Sequence, residues 1–178
     1  MARLAAIDIG SNAMRLRIVD AERRDERSTV TTWKEVVALR EAVRMGRDVF
    51  LTGALRPAAI SSAITALRAF RKEMDDAKID AYRAVATSAV REAENAEMLV
   101  ERADREAGVR IEVIEGVEEA RLVQLAVQRR IALDGRRALL IDIGGGSTEL
   151  TLLDGGELRA SHSLPVGTVR LLEAFMET

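Results

Sequence analysis

The decapeptide IDIGGGSTEL at residues 141 to 150 sets Asp142 and Glu149 on either side of Gly144, Gly145, Gly146, Ser147 and Thr148. Glycine carries no Cβ, so a turn built from it lets backbone N–H groups come close to an anion. The two carboxylates cannot bind phosphate themselves, because like charges repel. They can hold Mg²⁺ or orient a water molecule beside it. The same residues also suit a plain tight hairpin with an acid at each end, so this stretch alone leaves both readings open.

An earlier stretch repeats the pattern. IDIGSNAMRLRIVD at residues 7 to 20 aligns without gaps to IDIGGGSTELTLLD at 141 to 154, with six identities in fourteen positions at an offset of 134. Each copy reads as strand, small-residue turn, strand. Two such turns could offer backbone N–H groups to one ligand. A duplication at that offset leaves 178 − 134 = 44 residues for the second copy. The chain is therefore expected to be a piece of a longer protein.

Other polar residues are less distinctive. Glu118 and Glu119 in GVEEARLVQLAV stand where a helix starts, and acids in a first turn complement the helix dipole. Arg91 and Asn95 in ATSAVREAEN can clamp an anion with a guanidinium and an amide, and equally suit a solvated helix face and an N-cap. His162, between two serines, reads as an ordinary strand residue, and Arg44-Met45-Gly46 as a corner.

The elements that must position these residues follow from periodicity. A third strand is expected within residues 27 to 44, although WKEVVALREAV also reads as helix. Pro57 opens a helix whose Ile60, Ile64, Leu67, Phe70 and Met74 recur at three- and four-residue spacing. Residues 82 to 86 and 109 to 114 read as strands, 88 to 106 and 117 to 132 as helical. Strands near 137 to 143, 147 to 153 and 157 to 164 follow, with Asp154-Gly155-Gly156 as a hairpin turn, then a last helix after Gly167. A meander followed by alternating strands and helices predicts an α/β protein with a partly antiparallel, partly parallel sheet.

Composition removes several function classes. Hydrophobic residues at 48% and charged residues at 31% describe a soluble globular chain, neither disordered nor membrane-embedded. No apolar run approaches the ~20 residues of a membrane span, and the N-terminus lacks a signal-peptide layout, so a cytoplasmic location is expected. The absence of cysteine excludes a disulfide scaffold, a thiolate nucleophile and a cysteine zinc site. One histidine argues against a histidine-rich metal site. Arginine makes up 24 of the 27 basic residues, which would favour bidentate phosphate binding, but the skew runs along the whole chain. With 3% aromatics and no basic cluster, neither base stacking nor a backbone-tracking groove is indicated, and nucleic acid is not an expected partner.

Taken in order, IDIGSNAMR, VRMG, ATSAVREAEN, VIEGVEEARL, LLIDIGGGSTEL and SLPVGTVRL make nearly the whole chain closely resemble the exopolyphosphatase and guanosine pentaphosphate phosphohydrolase family. ATSAVREAEN and IDIGGGSTEL as a pair are specific to it; IDIGSN is shared with the actin, sugar kinase and Hsp70-type fold. The resemblance implies a ribonuclease-H-like βββαβαβα domain over residues 1–132. A truncated start, βββα, of a second copy would follow over 133–178, with the active site in the cleft between. It implies Mg²⁺-dependent attack of water on a terminal phosphoanhydride, releasing orthophosphate from inorganic polyphosphate or from guanosine pentaphosphate.

By position, the resemblance puts the catalytic base at Glu119. Asp142 and Glu149 fall where acidic residues arrange metal and water, with Asp8 as a further metal ligand. Gly144, Gly145, Gly146, Ser147 and Thr148 match the phosphate loop, Gly10, Ser11 and Asn12 the opposing loop, and Arg91 with Asn95 phosphate-clasping positions. These roles suit in-line displacement, which needs a placed water and neutralised oxygens more than a nucleophilic side chain.

The chain departs from the family pattern at Ala13-Met14, in a longer strand before VRMG, and in stopping after the second unit's first helix. Three rival readings are a non-catalytic module that grips polyphosphate or an alarmone, a kinase-like phosphotransferase of the same fold, and a structural unit forming a homodimer over an apolar sheet edge.

Overall fold

A computed structural model describes residues 1–22 and 32–176. Period-two alternation builds the first sheet. In β1 (Ala2–Ile9) and β2 (Met14–Glu22), Ala5, Ile7, Ile9, Met14, Leu16 and Ile18 are buried on one face, while Asp8, Arg15 and Arg17 point to the other. The two strands pair antiparallel around the turn Gly10 to Ala13. β3 (Thr32–Glu41) continues the meander, so WKEVVALRE is strand; residues 27–31 of the expected strand lie outside the described residues.

The helix α1 (Met45–Thr52) was not anticipated: eight residues with a glycine near the start carry too little periodicity to announce a helix. It begins after Arg44, whose φ of 56° puts a non-glycine residue in the left-handed region at a cost of about 1–2 kcal/mol. Two bonds hold this corner to the first turn, Arg44 N–H to Asn12 O at 3.0 Å and Gly46 N–H to Ser11 O at 2.7 Å.

α2 (Pro57–Asp76) buries the stripe Ile60, Ile64, Leu67, Phe70 and Met74. β4 (Ala81–Ala86) and β5 (Ile111–Val113) then run parallel to β1, giving the mixed order β3-β2-β1-β4-β5. The expected single helical region over 88 to 106 is two helices, α3 (Ser88–Glu92) and α4 (Ala96–Ala107), because Ala93 is extended between them. The main core lies between one face of this sheet and α1, α2 and α4.

After α5 (Gly116–Gln128) comes a separate antiparallel sheet of β6 (Arg137–Ile143), β7 (Thr148–Asp154) and β8 (Glu157–Leu164). Its β7–β8 turn uses Gly155 and Gly156 at φ 61° and 84°, the left-handed pair that a two-residue hairpin requires. α5 lies on the N-terminal side of the boundary expected at 132, yet it packs against β7 and β8. Gln124 donates to Gly156 O at 2.8 Å, and a Cβ on Gly116 would come within 2.9 Å of Ser163 Cβ. Leu153 is buried on the side of the sheet that faces α5, whereas Leu139, Ile141 and Ile143 on β6 are exposed. α6 (Thr168–Met176) closes the described chain.

The two sheets agree in detail at the sequence offset of 134. Gly10 N–H donates to Ala13 O at 3.2 Å, and Gly144 N–H donates to Ser147 O at 2.9 Å. Asp8 stands opposite Arg15, and Asp142 opposite Glu149. A following helix is tied to each turn: Gly46 N–H bonds Ser11 O, and Val169 N–H bonds Gly145 O at 2.8 Å. Among the described residues no helix is long and apolar enough to cross a membrane.

Candidate active site

The two glycine turns touch. A Cβ on Gly145 would stand 3.1 Å from Ser11 Cβ, and one on Gly146 would overlap Phe50 Cζ and Ser88 Oγ. Gly145 and Gly146 therefore lack side chains because protein presses on them there, a different reason from the room for an anion that the sequence suggested. Ser11 and Ser88 complete the junction with their hydroxyls 3.0 Å apart. Among the described residues, the N–H groups of Ser11, Asn12, Gly145 and Gly146 donate to no backbone carbonyl.

A cleft of about 340 Å³ opens beside the junction, walled by Gly10, Ser11 and Asn12 from one turn and Gly144, Gly145 and Ser147 from the other. Asp8, Glu119 and Asp142 bring carboxylates into it. β1 and β6 end at the turns, so Asp8 and Asp142 each sit two residues before the first turn glycine. Glu119 arrives from the first turn of α5.

Matching register positions carry unlike pairs. Asp8 faces Arg15, with a 3.1 Å ion pair, whereas Asp142 faces a second acid, Glu149. Like charges directly opposite on a sheet destabilise it, so an acid pair here marks a place that stability alone does not explain. Glu149 is buried, and one of its oxygens accepts from Ser163 Oγ at 2.8 Å. Burial, with Glu149 and then Asp8 nearby, raises the Asp142 carboxyl above its ordinary range.

The two adjacent glutamates of α5 part company. Hydrogen bonding from Arg121, joined by Arg83, holds Glu118 down to about 2. Burial, reinforced by the charge on Glu149 and opposed by Arg91, pushes Glu119 up to about 7. Glu119 Oε2 is buried with no hydrogen-bond partner among the described residues, and the Arg91 guanidinium stands 3.7 Å from it. A carboxylate poised near neutrality at a cleft wall suits proton transfer to or from a bound molecule.

Of the residues singled out in the sequence, Asp8, Ser11, Asn12, Glu119, Asp142, Gly144, Gly145 and Ser147 line the cleft. Glu149 stands behind Asp142, and Gly146 faces Phe50 and Ser88. Thr148 turns its hydroxyl to Val166 O. Arg91 is not in the cleft lining; its Nη1 donates to Ile114 O at 2.7 Å and stands 3.7 Å from Glu119 Oε2. Asn95 is outside the site altogether. Its Oδ1 accepts from Leu55 N–H at 2.8 Å and its Nδ2 donates to Leu55 O at 2.9 Å, so the amide ties α4 to the loop before α2.

Sequence reasoning missed Arg15, Thr87, Ser88 and Thr168, which also line the cleft. Hairpin register could have found Arg15, opposite Asp8. It also missed Arg170, whose Nε donates to Gly146 O at 2.9 Å, whose Nη2 reaches both Glu92 oxygens at 2.7 and 2.6 Å, and whose guanidinium lies 4.0 Å from the Phe50 ring centre. No local signal marks it.

The acids can be tested as cation ligands. Mg²⁺ prefers hard oxygens, and is held by one or two carboxylates together with waters and phosphate oxygens. Asp8 and Asp142 supply such oxygens, and the crowding of negative charge that raises Asp142 and Glu119 is what a bound cation would relieve. Among the described residues no group of three acids or imidazoles is placed to hold a metal ion by itself.

The mixed sheet, the second sheet and the cleft at their paired turns define an α/β protein of the actin type. Residues 24–178 match the Ppx/GppA phosphatase family, and the chain belongs to it. It is 34% identical over 174 residues to Exopolyphosphatase 1 of Mycobacterium leprae, covering 98% of this chain and 50% of that one. It is also 34% identical over 173 residues to guanosine-5'-triphosphate,3'-diphosphate pyrophosphatase of Aliivibrio fischeri, covering 97% of this chain and 33% of that one. The solved Aquifex aeolicus PPX-GPPA enzyme superposes with a TM-score of 0.81 at 36% identity, over 98% of this chain and 56% of that chain. The chain thus spans about half the length of the mycobacterial relative.

Proposed function

We propose that this chain carries a phosphoanhydride-hydrolysing site that releases orthophosphate from the end of inorganic polyphosphate. Relatives are named for exopolyphosphatase and for guanosine pentaphosphate chemistry. Polyphosphate is favoured because, among the described residues, no aromatic side chain lines the cleft to stack a base. The observation that carries the reading is Glu119, a half-buried acid raised to about 7 at the wall of a cleft between two turns whose N–H groups donate to no backbone carbonyl.

In this reading the N–H groups of both turns hold the non-bridging oxygens of the terminal phosphoryl group. Ionised Glu119 takes a proton from the attacking water as its oxygen bonds to phosphorus and the bridging P–O bond breaks, leaving a chain one phosphate shorter. Arg91 keeps the carboxylate aimed, and Asp142 orients the water. Asp8 and Asp142 would hold Mg²⁺, which when bound supplies charge neutralisation for the phosphoryl oxygens. Glu149 supports Asp142 from behind.

We further propose that β6 to α6 begins a second copy of the β1-to-α1 unit. The shared register, the matching turn bonds and the helix tied to each turn support it.

The test is phosphate release from polyphosphate with Mg²⁺ by wild type and Glu119→Gln. Loss of a general base should lower turnover by about 10²–10⁴. Equal rates, or no release by wild type, would refute the reading.

A further inference from the structure

A second cavity, about 590 Å³, adjoins the cleft and shares Asn12 and Thr168 with it. Its volume lies within the ~300–1,000 Å³ usual for small-molecule sites. Arg44 and Arg47 line it along with one acid, Glu173. Arg47 pairs with Glu173 at 3.5 Å. Arg44 has no carboxylate partner among the described residues, whereas most arginines of the chain are paired. Its backbone is nevertheless fixed, in a left-handed conformation clamped to Asn12 O, so the charge is anchored beside the first glycine turn. The Asn12 side-chain amide, exposed on the wall common to both cavities, makes no hydrogen bond among the described residues.

Resting on the reading that the cleft takes a terminal phosphoryl group, we propose that this second cavity binds the next phosphoryl groups of a linear polyphosphate, with Arg44 as the principal contact. A guanidinium matches phosphate in a two-pronged geometry, and a strained, unpaired arginine at a cavity wall is better explained by an anionic ligand than by folding. Asn12 passes the chain from one cavity to the other.

The test is calorimetric titration of the Glu119→Gln protein, which prevents turnover, with orthophosphate and with long-chain polyphosphate in Mg²⁺. Long chains should bind more tightly than orthophosphate. Adding Arg44→Gln or Arg44→Gly should remove about tenfold of that gain and leave orthophosphate affinity within about twofold. Glycine tolerates the backbone at position 44, so that variant folds without strain. Arg136→Ala, which removes the same charge outside the cavity, should change neither. An intact chain-length gain in both Arg44 variants, or an equal loss in Arg136→Ala, overturns the second site alone. Failure of the Glu119→Gln protein to bind either ligand overturns the cleft reading, and this one with it.

Discussion

Glu119 should weaken the fold that holds it, and the size of the effect can be worked out. Its ordinary value is 4.5, and burial beside Glu149 raises it to about 7. Between those two values the unfolded chain has released the proton while the folded chain still holds it, so stability falls as pH rises. The loss is about 1.4 kcal/mol per pH unit across the gap, or about 3 kcal/mol in all once pH exceeds the folded value. Below about pH 4.5 both states are protonated and nothing is lost.

Glutamine copies the protonated acid in shape and carries no ionisation. Glu119→Gln should match wild type at pH 4 and exceed it by about 3 kcal/mol at pH 8, which for a chain of this length is roughly 6–12 °C in Tm. Urea unfolding in EDTA at a series of pH values, with both proteins in parallel, measures the difference directly. A constant offset from pH 4 to pH 8 would show that the carboxyl is not held protonated by its surroundings, and the argument for a poised base would fail.

Several further outcomes follow from the same geometry. The rate of phosphate release should rise with pH on an acid limb governed by Glu119, and added Mg²⁺ should move that limb downward by offsetting the charges of Glu149 and Asp142; a limb insensitive to Glu119→Gln would contradict it. Gly146→Ala puts a methyl into Phe50 and Ser88 and should cost about 1–3 kcal/mol in urea unfolding. Arg170→Ala removes the Glu92 pair, the bond to Gly146 O and the Phe50 contact, and should cost about 2 kcal/mol. Lysine at 170 should not restore it, because a point charge cannot make both contacts. The two faces of the second sheet should differ. Leu153→Ala, at a buried site, should cost about 2–5 kcal/mol. Ile141→Ala, 57% exposed, should stay within about 1 kcal/mol unless a second copy covers that face in solution.

The two hairpins were legible because alternation and glycine act locally: Ile7, Ile9, Leu16 and Ile18 declare one buried face, and the turn glycines fix where the strands reverse. WKEVVALRE was ambiguous for the opposite reason, since its strand state comes from pairing with β2 and its own side chains are mostly exposed. Gly46 and the short α1 carried no period long enough to read.

Chemistry was harder to read than fold. Glu118 and Glu119 share one helical turn, and only tertiary surroundings separate an acid held low by Arg121 and Arg83 from one pushed up by burial and the charge of Glu149. Asn95 looked like a ligand because its amide could reach an anion; the distant Leu55 backbone takes both ends of it. Arg170 was invisible because its three partners, Phe50, Glu92 and Gly146, come from separate parts of the chain.

The sharpest measurement is a crystal structure with orthovanadate and Mg²⁺. The account predicts vanadium bound against the N–H groups of both turns, near Ser11 and Gly145, with the Glu119 carboxylate one water molecule away. Vanadate seated away from the turns, or Glu119 turned out of the cleft while vanadate occupies it, would contradict the account.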